Sequence, residues 1–115
     1  MSERDEEIAA DVALAGACLA GDAAALASFE QRFLSLIPQF VARLVSDDDT
    51  IAEIQQTLRE RLLVANSDKP AKLSEYRGEG RLASWLRVVA IRAALDRRRS
   101  DKPILPELAA EGALA

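Results

Sequence analysis

With 115 residues the chain has material for one domain of ordinary size and no room for a second catalytic one. Half of the residues are apolar, but aromatics supply only 4%, a balance that favours helices over strands and makes an all-α domain the expectation. The formal charge is −4, histidine is absent and Cys18 is the single cysteine, so zinc clusters, disulfides and Cys–His or Ser–His nucleophiles all lack a required group.

Most enzyme classes are thereby disfavoured, and neither a metal nor a cofactor is expected. No apolar run approaches the roughly 20 residues that span a bilayer, and the N-terminus is acidic where a signal peptide is basic. A cytoplasmic protein without a membrane partner is the expectation. The net charge conceals an asymmetry: residues 1–60 carry four Arg against twelve acids, whereas residues 77–102 carry eight Lys and Arg against three. A basic segment inside an acidic chain is the footprint of a local nucleic-acid contact, because neutralising phosphate depends on the surface that faces the polymer. A solvated helix face is the plain alternative.

In chain order, a first helix is expected from about Asp5 through Ile8, Val12 and Leu14 to Leu19. Gly21 supplies a left-handed end and Asp22 a cap for the next helix. From Ala23 to Val45 the set Leu26, Phe29, Phe33, Leu36, Ile37, Phe40, Val41 and Leu44 recurs at helical spacing, which predicts a second helix kinked or briefly broken at Pro38. Asp47, Asp48 and Asp49 sit where a helix start wants acceptors. Ile51, Ile54, Leu58, Leu62 and Val64 carry a third helix to about Asn66, with Glu53, Gln55, Gln56, Arg59 and Glu60 on its exposed side. Ser67 to Gly80 reads as a loop with a short helical turn around residues 71–76. A fourth helix starts after Gly80, lines Leu82, Trp85, Leu86, Val89, Ala90 and Ala93 along one side and ends near Ser100; Arg87 and Arg98 share its far side. Residues 1–102 form the expected domain, and 103–115 read as a linker or tail.

The informative stretch runs from Tyr76 to Arg99: a glycine-containing loop with an aromatic and two arginines feeds a helix that is apolar on one side and cationic on the other. Such a loop can hold an unstacked base while the helix arginines grip phosphates. Tyr76-Arg77-Gly78, Trp85-Leu86, Val89-Ala90 and Asp96-Arg97-Arg98-Arg99 stand in an order that resembles region 2 of the sigma-70 family, in particular the extracytoplasmic-function (ECF) type of bacterial RNA polymerase sigma factor. Leu19, Gly21-Asp22, Ala25-Leu26 and Phe29 extend the resemblance towards the N-terminus, and Ile54-Gln55-Gln56 matches the intervening helix. The wording from Arg81 to Ala90 is further similar to a sigma subgroup common in myxobacteria.

The resemblance implies a compact bundle of about four helices that binds core RNA polymerase and melts the minus-ten promoter element. Glu53, Gln55, Gln56 and Arg59 are the implied contacts to the β′ clamp helices. The implied DNA contacts are Tyr76, Arg77, Gly78, Glu79, Gly80 and Arg81 in the loop and Ser84, Arg87, Ile91, Arg92, Arg98 and Arg99 on the helix, with single-stranded non-template DNA as the preferred form. An anti-sigma factor is a further implied partner. This chain departs from the family pattern at Ala52 and Gln56, where acids are frequent, and at Arg92, where Asn is frequent. The family's full-length members carry a second helical domain, so the chain is expected to be one part of such a protein, with a naturally single-domain sigma-like regulator as the alternative.

Plainer roles stand beside these. Trp85 begins the apolar stripe and suits a core anchor. Tyr76 can pack its ring on that stripe and leave its hydroxyl in solvent. Arg97, Arg98 and Arg99 complement a helix C-terminus, Asp96 suits a local salt bridge, and Cys18 suits a small buried position. A nonspecific helical nucleic-acid binder and a protein-interaction module with an acidic face are the rival readings, and a small hydrolase using Asp and Glu is a remote third.

Overall fold

The computed structural model describes residues 2–101, and the expected linker beyond them lies outside the described residues. The fold is all-α: α1 (Glu3–Leu19), α2 (Ala23–Arg32), the short α3 (Ile37–Val41), α4 (Asp48–Leu63) and α5 (Leu82–Asp101), with 3₁₀ turns at Leu34–Leu36 and Lys72–Glu75. Among the described residues there is no strand, and no helix is long and apolar enough to cross a membrane.

Local chemistry sets most boundaries. Ser2 Oγ accepts from the Asp5 amide (3.2 Å), Asp22 from the Ala25 amide (2.8 Å) and Asp47 from the Thr50 amide (2.9 Å), so three helices start on a side-chain cap three residues before the amide it satisfies. Gly21, at φ +84°, ends α1 by turning its amide to the Cys18 carbonyl while the Asp22 amide reaches Ala17.

The break expected near Pro38 in the helix over Ala23–Val45 forms, and it begins earlier, at Arg32. α2 stops at Arg32, ahead of Pro38, and the chain tightens into the 3₁₀ turn before α3 begins with proline in its first turn. The reason lies one turn upstream of Pro38: the proline has no N–H for the Leu34 carbonyl and its ring crowds that group. Leu34 O instead accepts the Ile37 amide and the side-chain amide of Gln55, 2.8 Å away on α4. α4 is also shorter than expected, ending at Leu63, because the chain turns extended at Val64.

Phe29, Leu34, Ile37, Val41, Leu58, Leu62, Leu73, Leu82 and Leu86 are fully buried where the helices meet. Each such side chain contributes roughly 1.5–3 kcal/mol by leaving water. The rings of Phe29 and Phe33 stack with centroids 5.6 Å apart. Cys18 is buried as expected, its thiol donating to the Ala25 carbonyl, and burial followed by the nearby Asp22 charge pushes its pKa up. This core fixes α5 along α3 and α4 and seats the loop before it against α1.

Candidate nucleic-acid interface

The outer side of α5 carries Ser84, Arg87, Val88, Ile91, Leu95 and Arg98 at spacings of three and four residues, with Arg92 and Arg99 on its flank. Four of the arginines, Arg87, Arg92, Arg98 and Arg99, are exposed over about 18 Å of helix at a rise of about 1.5 Å per residue. Arg99 is 3.8 Å from Asp96, a marginal pair, whereas Arg87, Arg92 and Arg98 make no ion pair with another described residue. The face is not purely cationic: Val88 is 48% and Leu95 40% exposed, so an apolar strip lies between the guanidinium groups. Arg97 turns away and pairs with Glu53 of α4 at 2.6 Å.

The loop leading into α5 is tied down at alternate positions. Tyr76 is buried, its ring tilted against Trp85 at 5.8 Å between centroids, and its hydroxyl donates to the Gly80 carbonyl at 2.5 Å. The hydroxyl is therefore not free in solvent. Burial, and secondarily the Asp11 charge, raise its pKa, so it remains a donor at neutral pH. Gly78 adopts φ +73° and lies so close to α1 that a Cβ there would fall 2.6 Å from Val12 Cγ2. Gly80 needs no such freedom. Arg81 donates to Asp11 (2.8 Å) and pairs with Glu7 (3.0 Å), and the hydrogen bond to Asp11 is the main reason its pKa rises. Arg77 and Glu79, between these anchors, are exposed.

The four residues singled out on α4 are not gathered on one free surface. Glu53 faces α5 through Arg97, while Gln55 points to the opposite flank, where it serves Leu34. Arg59 is half-buried and holds Glu30 of α2 with two hydrogen bonds, Nε to Oε1 (2.7 Å) and Nη2 to Oε2 (2.6 Å), and a third to Gln56. Gln56 itself is exposed.

Sequence reasoning missed two features. Asp11 is 2% exposed, the one buried charged residue among those described, and its Oδ2 also accepts the Leu82 amide at 2.9 Å. It caps α5 from 71 positions away, an acceptor that no local pattern around Leu82 announces. The second is a groove of about 330 Å³ between α4, the Lys72–Glu75 turn and α5, where Arg61, Lys72 and Arg92 surround Trp85 together with Glu75 and Asp96. Trp85 is half-buried, packed on the core from this side. No cluster of metal-ligating side chains occurs among the described residues.

Comparison with protein-family models, with curated proteins and with solved structures finds no match for this chain.

Proposed function

We propose that this chain is a sigma factor domain that binds core RNA polymerase and recognises and melts the minus-ten promoter element. The observation that carries the reading is the continuity of the exposed cationic face of α5 with a pinned loop whose Arg77 and Glu79 point outward. Arginines along one helix face grip phosphate without regard to sequence, and a rigid loop with a donor and an acceptor suits the edge of an unstacked base. The resemblance in motif order supplies the identity of the nucleic acid and of the polymerase partner. The domain itself is assigned no chemistry, since bond formation belongs to the polymerase.

On α4 the intramolecular engagement of Glu53, Gln55 and Arg59 leaves the exposed Gln56 as the position best suited to the clamp helices. Single-stranded DNA is the favoured substrate because unstacking a base costs a few kcal/mol that a strand already open does not require.

The test is binding of a forked promoter fragment by the domain with core polymerase, beside a fragment of scrambled minus-ten sequence. Preference for the promoter fork, lost on Arg77→Ala with Glu79→Ala, is the expected result. A nonspecific helical nucleic-acid binder is the second reading, favoured by one observation: Tyr76 is buried and offers no free stacking face. Equal affinity for both fragments selects that reading.

A further inference from the structure

Asp11 is expensive where it stands. A carboxylate taken out of water loses hydration that only good partners restore, and an apolar residue would fill a helix interface at less cost. Its partners are specific: one oxygen accepts both the backbone amide of Leu82, the first residue of α5, and Nε of Arg81, the last residue of the loop. Glu7, one turn earlier on α1, takes the other arm of the same guanidinium, and Val12, the next residue on α1, closes against Gly78. α1 thus presents a single seat to which positions 78, 81 and 82 are fitted, while Tyr76 ties to Gly80 within the loop. The alternation leaves Arg77 and Glu79 as the outward pair.

We infer that Asp11 is a positioning residue that sets the sequence selectivity of the loop from behind, by fixing where Arg77 and Glu79 point, without touching nucleic acid itself. The inference rests on the proposed reading of that loop as the base-contacting element. A residue that merely stabilised the bundle would move affinity for every sequence alike, whereas a residue that fixes a reading loop moves the ratio between sequences and leaves the phosphate contribution of α5 in place. Asp11→Asn separates the two: the asparagine oxygen still accepts the Leu82 amide, so α5 keeps its cap, but its bond to Arg81 becomes a neutral one and only Glu7 still sets a charge against that guanidinium.

The experiment uses the full chain with core polymerase and a single-stranded DNA pool randomised over the minus-ten positions, from which the wild type enriches a sequence. Selectivity is the ratio of affinities for the enriched oligonucleotide and the starting pool. Trypsin cleavage after Arg77 and Arg81 reports the loop independently of DNA. Turning a charge-assisted hydrogen bond into a neutral one corresponds to an effect of several-fold, up to about tenfold. Asp11→Asn is therefore expected to cut selectivity several-fold, towards that of Arg77→Ala with Glu79→Ala, to speed loop cleavage by a similar factor, and to leave pool affinity within about twofold. Wild-type selectivity in Asp11→Asn, while the Arg77→Ala, Glu79→Ala double variant has lost it, overturns the inference alone. Wild-type selectivity in that double variant overturns the reading of the loop, and the inference falls with it. Equal losses of selectivity and of pool affinity in Asp11→Asn, with loop cleavage unchanged, mark a role in bulk stability and also overturn it.

Discussion

Gly78 joins two demands at one residue, a left-handed backbone and a surface with no room for a side chain. Gly78→Ala meets both at once: φ +73° is strained for any L-residue, and the new methyl would lie 2.6 Å from Val12 Cγ2. The expected cost is roughly 1–3 kcal/mol in chemical denaturation. Adding Val12→Ala should recover the steric part and leave the backbone part, whereas Val12→Ala alone should cost little because Val12 is 44% exposed. Full recovery in the double variant would mean that the backbone there carries no strain. A different balance operates at Glu30, whose pKa lies below its ordinary value of 4.5 chiefly because Arg59 hydrogen-bonds the carboxylate. The contribution of that pair is complete above the unfolded carboxyl's pKa and disappears as the pH falls through the lower, folded one. Both side chains are partly solvated, so the pair is worth at most about 1 kcal/mol. Glu30→Gln should accordingly lower the urea midpoint at pH 7 and have a shrinking effect towards pH 3; a difference that stays constant with pH would assign the loss to packing.

Among the elements, the break between α2 and α3 has the clearest cause. Pro38 leaves the Leu34 carbonyl without its helical donor, and Gln55 reaches across from α4 to supply one. Gln55→Ala should therefore cost about 1 kcal/mol, the net worth of one hydrogen bond, since Leu34 O keeps only the Ile37 amide. In a Pro38→Ala background residue 38 has an amide of its own for Leu34, so the same Gln55→Ala change should cost measurably less. Thermal midpoints of the four proteins form the cycle, and strict additivity would show that Gln55 acts elsewhere. These details mark the limits of legibility in the sequence. Gly21, Asp22 and Asp47 declare their helix ends plainly, because a cap and the amide it satisfies are three residues apart. Pro38 likewise declares the break after α2, but not that it opens at Arg32 or that the freed Leu34 carbonyl is met by a glutamine 21 positions later. Asp11 is hidden by the same kind of distance: among the acids of α1 it reads as one more solvated carboxylate, and only the folded loop makes it the cap of α5. For the candidate site, the cationic side of α5 follows from spacing alone, whereas the burial of Tyr76 and the engagement of Arg59 require partners that no local pattern names.

At the scale of the whole molecule the charge asymmetry becomes geometric. The acidic N-terminal half neutralises part of the loop through Glu7 and Asp11, while Arg87, Arg92 and Arg98 stay free of ion pairs with other described residues. If these three contact phosphate, each replacement by alanine should reduce the slope of log affinity against log salt by roughly 0.7–0.9 and weaken unrelated sequences to the same degree. Measurement across a salt series checks both parts, and a change confined to one sequence at Arg92 would reveal a base contact there. The apolar strip of Val88 and Leu95 should leave this slope untouched when it is shortened. The packing of Tyr76 on Trp85 has an optical consequence as well. They are the only tyrosine and the only tryptophan in the chain, and their ring centroids are 5.8 Å apart. At that separation light absorbed by the phenol is passed to the indole, so the native protein emits as a tryptophan alone. An event that carries the loop well away from the start of α5, beyond the reach of that transfer, restores phenolic emission, and such a separation can be followed by fluorescence without an added label.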